Sequence, residues 1–239
     1  ENLTLKKTTT LSGDGAEYYL SSKITGDGFF VLTKSDSYVA LYKMNFDLVV
    51  INRTAFEKDV DGTLHLQTNG KLLSITTSDS SLSVRVIGSD GVIEKSSSIY
   101  LSSPKIALCY EKDETVNMFV NLEKSYAEVR YSDFYGFLSS DETVGKTIDE
   151  ILPFNGGFAG IYLENNEKFL FTADENAVVS FEKQLPPAGF TKLLKNGENL
   201  MLVSSQNGKT TLSLFCTHLD EVITRTYDSE TTLVPYFDE

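Results

Sequence analysis

The residues from Gly70 to Ser96 constrain the fold most, because they read as three consecutive β-strands joined by short turns. Apolar runs at 72–75 and 82–87 flank a polar turn at 77–80, and Asp90-Gly91 follows the second run. An Asp-Gly pair between apolar runs is a strong hairpin signal. The stretch therefore predicts antiparallel strands that pair in chain order.

The same order of strands and turns recurs along the chain. Polar turns are centred near residues 36, 79, 113, 166 and 207, each between runs rich in apolar, β-branched or aromatic residues. A repeat of about 40 residues with four strands per unit is typical of a β-propeller blade. We expect an all-β protein, a β-propeller of five four-stranded blades that forms a single domain over residues 1–239. A β-sandwich or jelly roll also has many short strands and is the alternative.

The ends of the chain are candidates for closing the ring of blades. We expect this strand either around residues 3–11 or in the tail at 231–237.

The interval between the third and fourth polar turns is the longest, and it predicts an insertion at about residues 132–154. Ser139 and Glu142 form a capping-box pattern, and Pro153 would end a helix that we expect from about Ser140 to Leu152. The apolar residues of this segment recur at helical spacing, at Val144, Ile148, Ile151 and Leu152.

An aromatic cluster precedes the expected helix, and an aromatic insertion between two blades suits a partner surface. The same aromatics could instead be buried where the helix caps the ring, and the sequence leaves both interpretations open. The candidate partner-binding residues are Tyr131, Phe134, Tyr135, Phe137, Val144 and Ile148.

Charge excludes some classes of partner. The chain has 34 acidic and 21 basic residues, a formal net charge of −13, which repels nucleic acid phosphates and anionic membrane surfaces. No apolar stretch approaches the roughly 18 residues that a membrane-spanning helix needs. We expect protein partners, no nucleic acid, no membrane insertion and no small-molecule ligand.

The compartment stays open. The sequence begins at Glu1, as a processed chain or an excised domain would, and it contains glycosylation sequons at Asn2 and Asn52. Such sequons suit a secreted protein, but they also arise by chance in a chain rich in Ser and Thr.

Few residues carry nucleophilic or metal-binding chemistry. The two cysteines, Cys109 and Cys216, fall in different repeats, so we expect buried thiols without a disulfide. Cys216 and His218 could face the same way on a strand, but this spacing is common by accident. With His65 as the other histidine, no zinc pattern exists, and we expect no metal, cofactor or catalytic residue.

Two short motifs resemble known sites and are rejected. Gly145-Lys146-Thr147 matches the end of a phosphate-binding loop, but Ser140 stands where that loop needs glycine. Asp59 and Asp61 suggest the start of a calcium loop, yet Thr63 occupies the third ligand position.

The repeats resemble the β-propeller superfamily, in a degenerate WD-repeat-like form, over about residues 16–230. The chain has no Trp, so the Trp-Asp ending of WD repeats is missing and no particular family is indicated. The resemblance implies a rigid ring whose loops bind other proteins, and therefore a non-enzymatic interaction scaffold. A secreted carbohydrate-binding or glycoside-cleaving five-bladed propeller is the alternative, and a purely structural adaptor domain is the third hypothesis.

Overall fold

The computed structural model describes residues 8–11 and 15–228. Within these residues the chain forms twenty β-strands in five four-stranded sheets. Each sheet is named a blade, numbered in chain order. No α-helix occurs in the described residues, so none of them forms a helix that could cross a membrane.

The first three blades comprise twelve strands. Blade 1 contains β1 (Tyr18–Thr25), β2 (Gly28–Lys34), β3 (Tyr38–Met44) and β4 (Val50–Glu57). Blade 2 contains β5 (Asp61–Leu66), β6 (Leu72–Thr77), β7 (Ser81–Ile87) and β8 (Ile93–Tyr100). Blade 3 contains β9 (Lys105–Lys112), β10 (Thr115–Asn121), β11 (Ser125–Ser132) and β12 (Gly136–Val144).

The last two blades comprise eight strands. Blade 4 contains β13 (Lys146–Phe154), β14 (Gly157–Glu164), β15 (Glu167–Ala173) and β16 (Val179–Gln184). Blade 5 contains β17 (Phe190–Asn196), β18 (Asn199–Gln206), β19 (Lys209–Phe215) and β20 (Glu221–Asp228).

In every blade the four strands are neighbours in chain order, and the strand pairs with a described register are antiparallel. Five separate sheets of this kind are the blades of a β-propeller, whereas a sandwich would have two sheets. The prediction of an all-β propeller with five four-stranded blades is confirmed.

The predicted helix from Ser140 to Leu152 is wrong. Its residues belong to β12, the last strand of blade 3, and β13, the first strand of blade 4, which only Gly145 separates. Gly145 has a φ of +82°, a conformation that suits glycine and breaks helical geometry.

Local features of β13 explain the misleading helical pattern. A bulge between Ile148 and Glu150 interrupts the alternation of the strand, so its apolar residues recur at spacings that resemble a helix. Pro153 does not disrupt the sheet, because β13 is an edge strand with β14 as its neighbour.

The predicted insertion at 132–154 is also wrong, because these residues are the end of β11, the strands β12 and β13, and the short turns between them. The polar turn at 113 lies between the first two strands of blade 3, whereas those at 36, 79, 166 and 207 lie between second and third strands. The turns between second and third strands are centred near residues 36, 79, 123, 166 and 207, an even repeat of 41 to 44 residues.

The two candidate ring-closing segments lie mainly outside the described residues. Residues 3–7 and 231–237 are not described, and the described residues 8–11 contain no strand.

The chain divides into two compact units. Unit 1 comprises Glu1–Glu123 and Ala127–Glu142 and contains blades 1 to 3, except for the start of β11 and the end of β12. Unit 2 comprises Lys124–Tyr126 and Thr143–Glu239 and contains blades 4 and 5. The single domain over residues 1–239 stays a prediction.

In unit 1, the sheet of blade 2 is covered on both faces, and all six residues of β6 are buried. Leu72 packs in a cluster with Leu32 of blade 1, whereas Leu73 and Ile75 pack in a cluster with Val116 of blade 3. Each such side chain contributes roughly 1.5–3 kcal/mol when fully buried. The alternating residues of one strand thus connect three blades.

In unit 2, the core lies between the sheets of blades 4 and 5 and includes Leu170, Leu202 and Phe215. Polar contacts join the same two sheets. The Lys168 ammonium of blade 4 lies 2.8 Å from the Asp149 carboxylate and donates to Thr191 of blade 5 at 2.6 Å.

Two glycines of the β1–β2 hairpin, Gly26 in the turn and Gly28 at the start of β2, test the close packing in blade 1. A Cβ on Gly28 would lie 2.0 Å from the Met44 carbonyl oxygen, whereas a Cβ on Gly26 would meet no atom within 4 Å. We expect Gly28→Ala to lower the free energy of unfolding by about 2 kcal/mol or more. The matched Gly26→Ala change should stay within about 0.5 kcal/mol. Urea denaturation of both variants checks this, and equal midpoints would contradict the packing described.

Candidate functional site

The turn between β11 and β12, residues 132–136, presents two aromatic side chains to solvent and is named the aromatic turn. Phe134 and Tyr135 are 80% and 76% exposed. Their rings pack edge to face with centroids 4.8 Å apart. An edge-to-face pair of this kind holds both rings in a defined orientation.

Blade 2 anchors the backbone of the aromatic turn. Lys95 of β8 donates from Nζ to the carbonyl oxygens of Asp133, at 2.6 Å, and Phe134, at 3.0 Å. The ammonium of Lys71, from the β5–β6 turn, lies 3.0 Å from the Asp133 carboxylate. Contacts with these two lysines therefore hold in place the turn that carries the exposed rings.

The other four candidate residues are distributed between core and surface. Tyr131 is fully buried in unit 1 and packs edge to face with Phe137, at a centroid distance of 5.5 Å. Val144 is 79% exposed at the end of β12, and Ile148 is buried in β13 of unit 2. The aromatic segment thus supplies both core and surface residues.

In each blade of unit 1, the turn between the first and second strands lies at the same end as the turn between the third and fourth strands. The aromatic turn belongs to this set of turns. Exposed apolar residues at this end, in the turns or next to them, are Ile24, Phe46, Val49, Val92, Phe134 and Tyr135. Exposed carboxylates in the turns at the same end are Asp27, Asp47, Asp90, Asp113 and Glu114. This end therefore combines apolar tips with negative charge.

A cavity of about 300 Å³ lies among the first strands of the three blades of unit 1. Lys23 of β1 lines it, together with Asp61, Thr63 and His65 of β5 and Cys109 of β9. First strands are edge strands, so one backbone edge of each is unpaired within its own sheet. This cavity was not expected, because its lining comes from three distant parts of the sequence.

Burial dominates the electrostatics of the cavity. It lowers the pKa of His65 from the usual value near 6.5, and the charge of Lys23 acts in the same direction while Glu111 opposes it. Burial also raises the pKa of the Cys109 thiol to about 12, so this thiol is protonated and unreactive at neutral pH. His65 is therefore favoured as a neutral imidazole at neutral pH.

The pairing of Cys216 with His218 is absent from the structure. Cys216 donates from Sγ to the Asp220 carboxylate at 3.9 Å, while the exposed His218 ring packs edge to face against Phe181. Both cysteines are free and partly buried.

The charged side chains of the two rejected motifs contact other side chains of the protein. Asp59 accepts a hydrogen bond from Thr76 at 2.6 Å and pairs with Arg85 at 3.0 Å, so its carboxylate is already engaged. Lys146 donates to the Tyr162 hydroxyl at 2.9 Å and lies over the same ring. Within residues 8–11 and 15–228, no group of three His, Cys, Asp or Glu side chains could hold a metal ion.

Glu17, the residue before β1, has a buried carboxylate that no sequence motif marks. Its carboxylate accepts hydrogen bonds from Thr33, Tyr38, Tyr42 and Arg53 at distances of 2.6 to 3.3 Å. Burial alone would raise the pKa of Glu17, but the four donors outweigh it and lower that pKa. A carboxylate with this many donors attaches its segment to blade 1 and is not poised for proton transfer.

No protein-family model and no curated protein matches the sequence. Solved structures do match, among them the propeller of Dos1, with a TM-score of 0.62 and 9% identity over 86% of this chain and 57% of that one. Hsv2 of Kluyveromyces lactis matches with a TM-score of 0.51 and 11% identity, over 89% of this chain and 63% of that one. The dihydro-heme d1 dehydrogenase NirN matches with a TM-score of 0.58 and 14% identity, over 84% of this chain and 45% of that one.

These similarities establish the β-propeller fold and no particular family. The chain spans less than two thirds of the length of each of these three structures. Because one of them is named as an enzyme, the fold alone does not decide whether this chain catalyses a reaction.

The half-buried His65 predicts a loss of stability in acid. Its folded-state pKa is below the usual value near 6.5, so the unfolded chain binds more protons as the pH falls through 6.5. The free energy of unfolding should therefore fall below that pH until the folded-state pKa is passed. His65→Gln should remove this contribution, which denaturation from pH 7.5 to 5 checks, and the exposed-site control His218→Gln should keep it. The same slope in wild type and His65→Gln would contradict the burial of this imidazole.

Proposed function

We propose that this chain is a non-enzymatic protein-interaction domain and that its docking surface is centred on the aromatic turn. The observation that carries the proposal is the exposure of Phe134 and Tyr135 on a backbone anchored to the neighbouring blade. Large aromatic side chains contribute most of the binding energy in many protein interfaces.

Anchoring supports the proposal because binding to a flexible loop loses affinity as the loop becomes ordered. The contacts that Lys95 and Lys71 make with Asp133 and Phe134 order the turn before a partner binds. A preorganised turn therefore loses less binding free energy to the ordering of its backbone.

The charge of the surrounding surface indicates the chemistry of the partner. The turns at this end of unit 1 carry exposed carboxylates, among them Asp90, Asp113 and Glu114, around the apolar tips. A complementary partner offers an apolar pocket for the two rings and a rim of Lys or Arg side chains.

Carbohydrate cleavage is less well supported by the cavity of unit 1. Glycoside hydrolysis commonly uses two carboxyl groups on either side of the scissile bond. Among the residues that line this cavity, Asp61 is the one carboxylate and none is Phe, Tyr or Trp.

A double variant tests the docking surface. A random 12-residue peptide library is selected on the wild-type chain, and the affinities of the recovered peptides are measured by isothermal titration. We expect peptides that combine basic and large apolar residues. Phe134→Ala with Tyr135→Ala should weaken their binding by at least about 30-fold, because each ring is expected to contribute on the order of 2 kcal/mol. Stability should change by less than about 1 kcal/mol, because both rings are exposed.

Tyr100→Ala is the matched control, because Tyr100 is 77% exposed on blade 2 but lies at the opposite end of the strands. This variant should bind the selected peptides as the wild type does. Peptides that bind the double variant with unchanged affinity, or that lose affinity for Tyr100→Ala, would place docking elsewhere and contradict the proposal.

A further inference from the structure

The cavity of unit 1 contains polar groups that the fold leaves without partners. The Nε2 atom of His65 is buried, and no described residue forms a hydrogen bond with it. A buried polar atom of this kind usually binds water or a ligand, because its desolvation is otherwise uncompensated.

Lys23 brings a positive charge to the same cavity. It is half-buried on β1 and lines the cavity together with His65. Its charge is close enough to affect the pKa of both His65 and Cys109. A half-buried ammonium beside an unpartnered imidazole favours an anionic ligand.

Asp61 and Thr63 restrict the ligand further. Asp61 accepts one hydrogen bond, from the Gly62 backbone N–H at 2.9 Å, so its carboxylate has capacity for a second donor. The Thr63 hydroxyl approaches Ser21 at 3.5 Å, the outer limit of a hydrogen bond. A bare anion would be repelled by Asp61, whereas an anion that also carries a hydroxyl could donate to it.

We propose that this cavity binds a small oxyanion that also carries a hydroxyl group, such as hydrogen phosphate or a short 2-hydroxy acid. The oxyanion lies between Lys23 and His65, and the hydroxyl donates to Asp61. A volume of about 300 Å³ is at the lower end for ligand pockets and suits a ligand of few heavy atoms. This site is independent of the docking surface on the aromatic turn.

The two histidines of the chain supply a direct measurement, since His65 lines the cavity and His218 is exposed on blade 5. Nitrogen-15 spectra of the imidazoles are recorded while inorganic phosphate, glycolate or acetate is added at constant ionic strength and pH 7. We expect saturable shifts of the His65 signals with phosphate or glycolate, with a Kd below about 10 mM. Acetate lacks the hydroxyl and should bind at least about tenfold more weakly.

Variants identify the groups that hold the ligand. Lys23→Gln should weaken binding at least about tenfold, because it removes a charge-assisted contact. Lys105→Gln is the matched control, because Lys105 is an exposed lysine on β9 outside the cavity lining, and it should bind as the wild type does. Thermal melting of both variants confirms that each is folded.

The preferred anion distinguishes phosphate from carboxylate as the natural chemistry, and saturable binding of either supports the proposal. Three results would overturn it: no saturation with phosphate or glycolate, equal shifts at His218, or unchanged affinity in Lys23→Gln. Equal affinity for acetate and glycolate would overturn the assigned role of Asp61.

Discussion

The burial of blade 2 between two neighbouring sheets is the constraint on which unit 1 depends. Strand β6 has no solvent-exposed face, since Leu72 packs toward blade 1 while Leu73 and Ile75 pack toward blade 3. A single sheet with two apolar faces is not stable in water, so each sheet requires its neighbours. The fourth strands are more exposed, and in β20 of unit 2 all eight residues, apolar and polar, are exposed. Largely buried second and third strands with exposed fourth strands therefore recur from blade to blade.

Much of the fold could be predicted from the sequence because its signals are local. Alternating apolar residues and Asn-Gly or Asp-Gly turns mark hairpins within a few residues, and they identified five blades. The helix prediction failed because Ser139 and Glu142 satisfy a local capping pattern that strand pairing overrides. The bulge after Ile148 strengthened the false signal. The turns between second and third strands recur every 41 to 44 residues, so an unusually long interval between two turns indicates a wrongly placed turn and not an insertion.

The candidate sites were harder to predict, for different physical reasons. Sequence identified the aromatic cluster but could not separate the exposed Phe134 from the partly buried Phe137, because the turn geometry decides which ring faces the core. The cavity was invisible in the sequence, since Lys23, His65 and Cys109 come together only when the first strands of three blades lie side by side. A site whose residues come from several repeats has no fixed sequence spacing that a motif could describe.

The turns between third and fourth strands have a consequence for engineering. In blades 1, 2, 4 and 5 this turn has five residues closed by the same two backbone hydrogen bonds, and its fourth residue has a positive φ, as at Leu48 and Ala177. Blade 3 replaces it with a tighter turn that has Gly136 in the left-handed region. The four shared turns have the same length and backbone hydrogen bonds, so a foreign recognition loop could be grafted at four places of like geometry while the native aromatic turn stays intact.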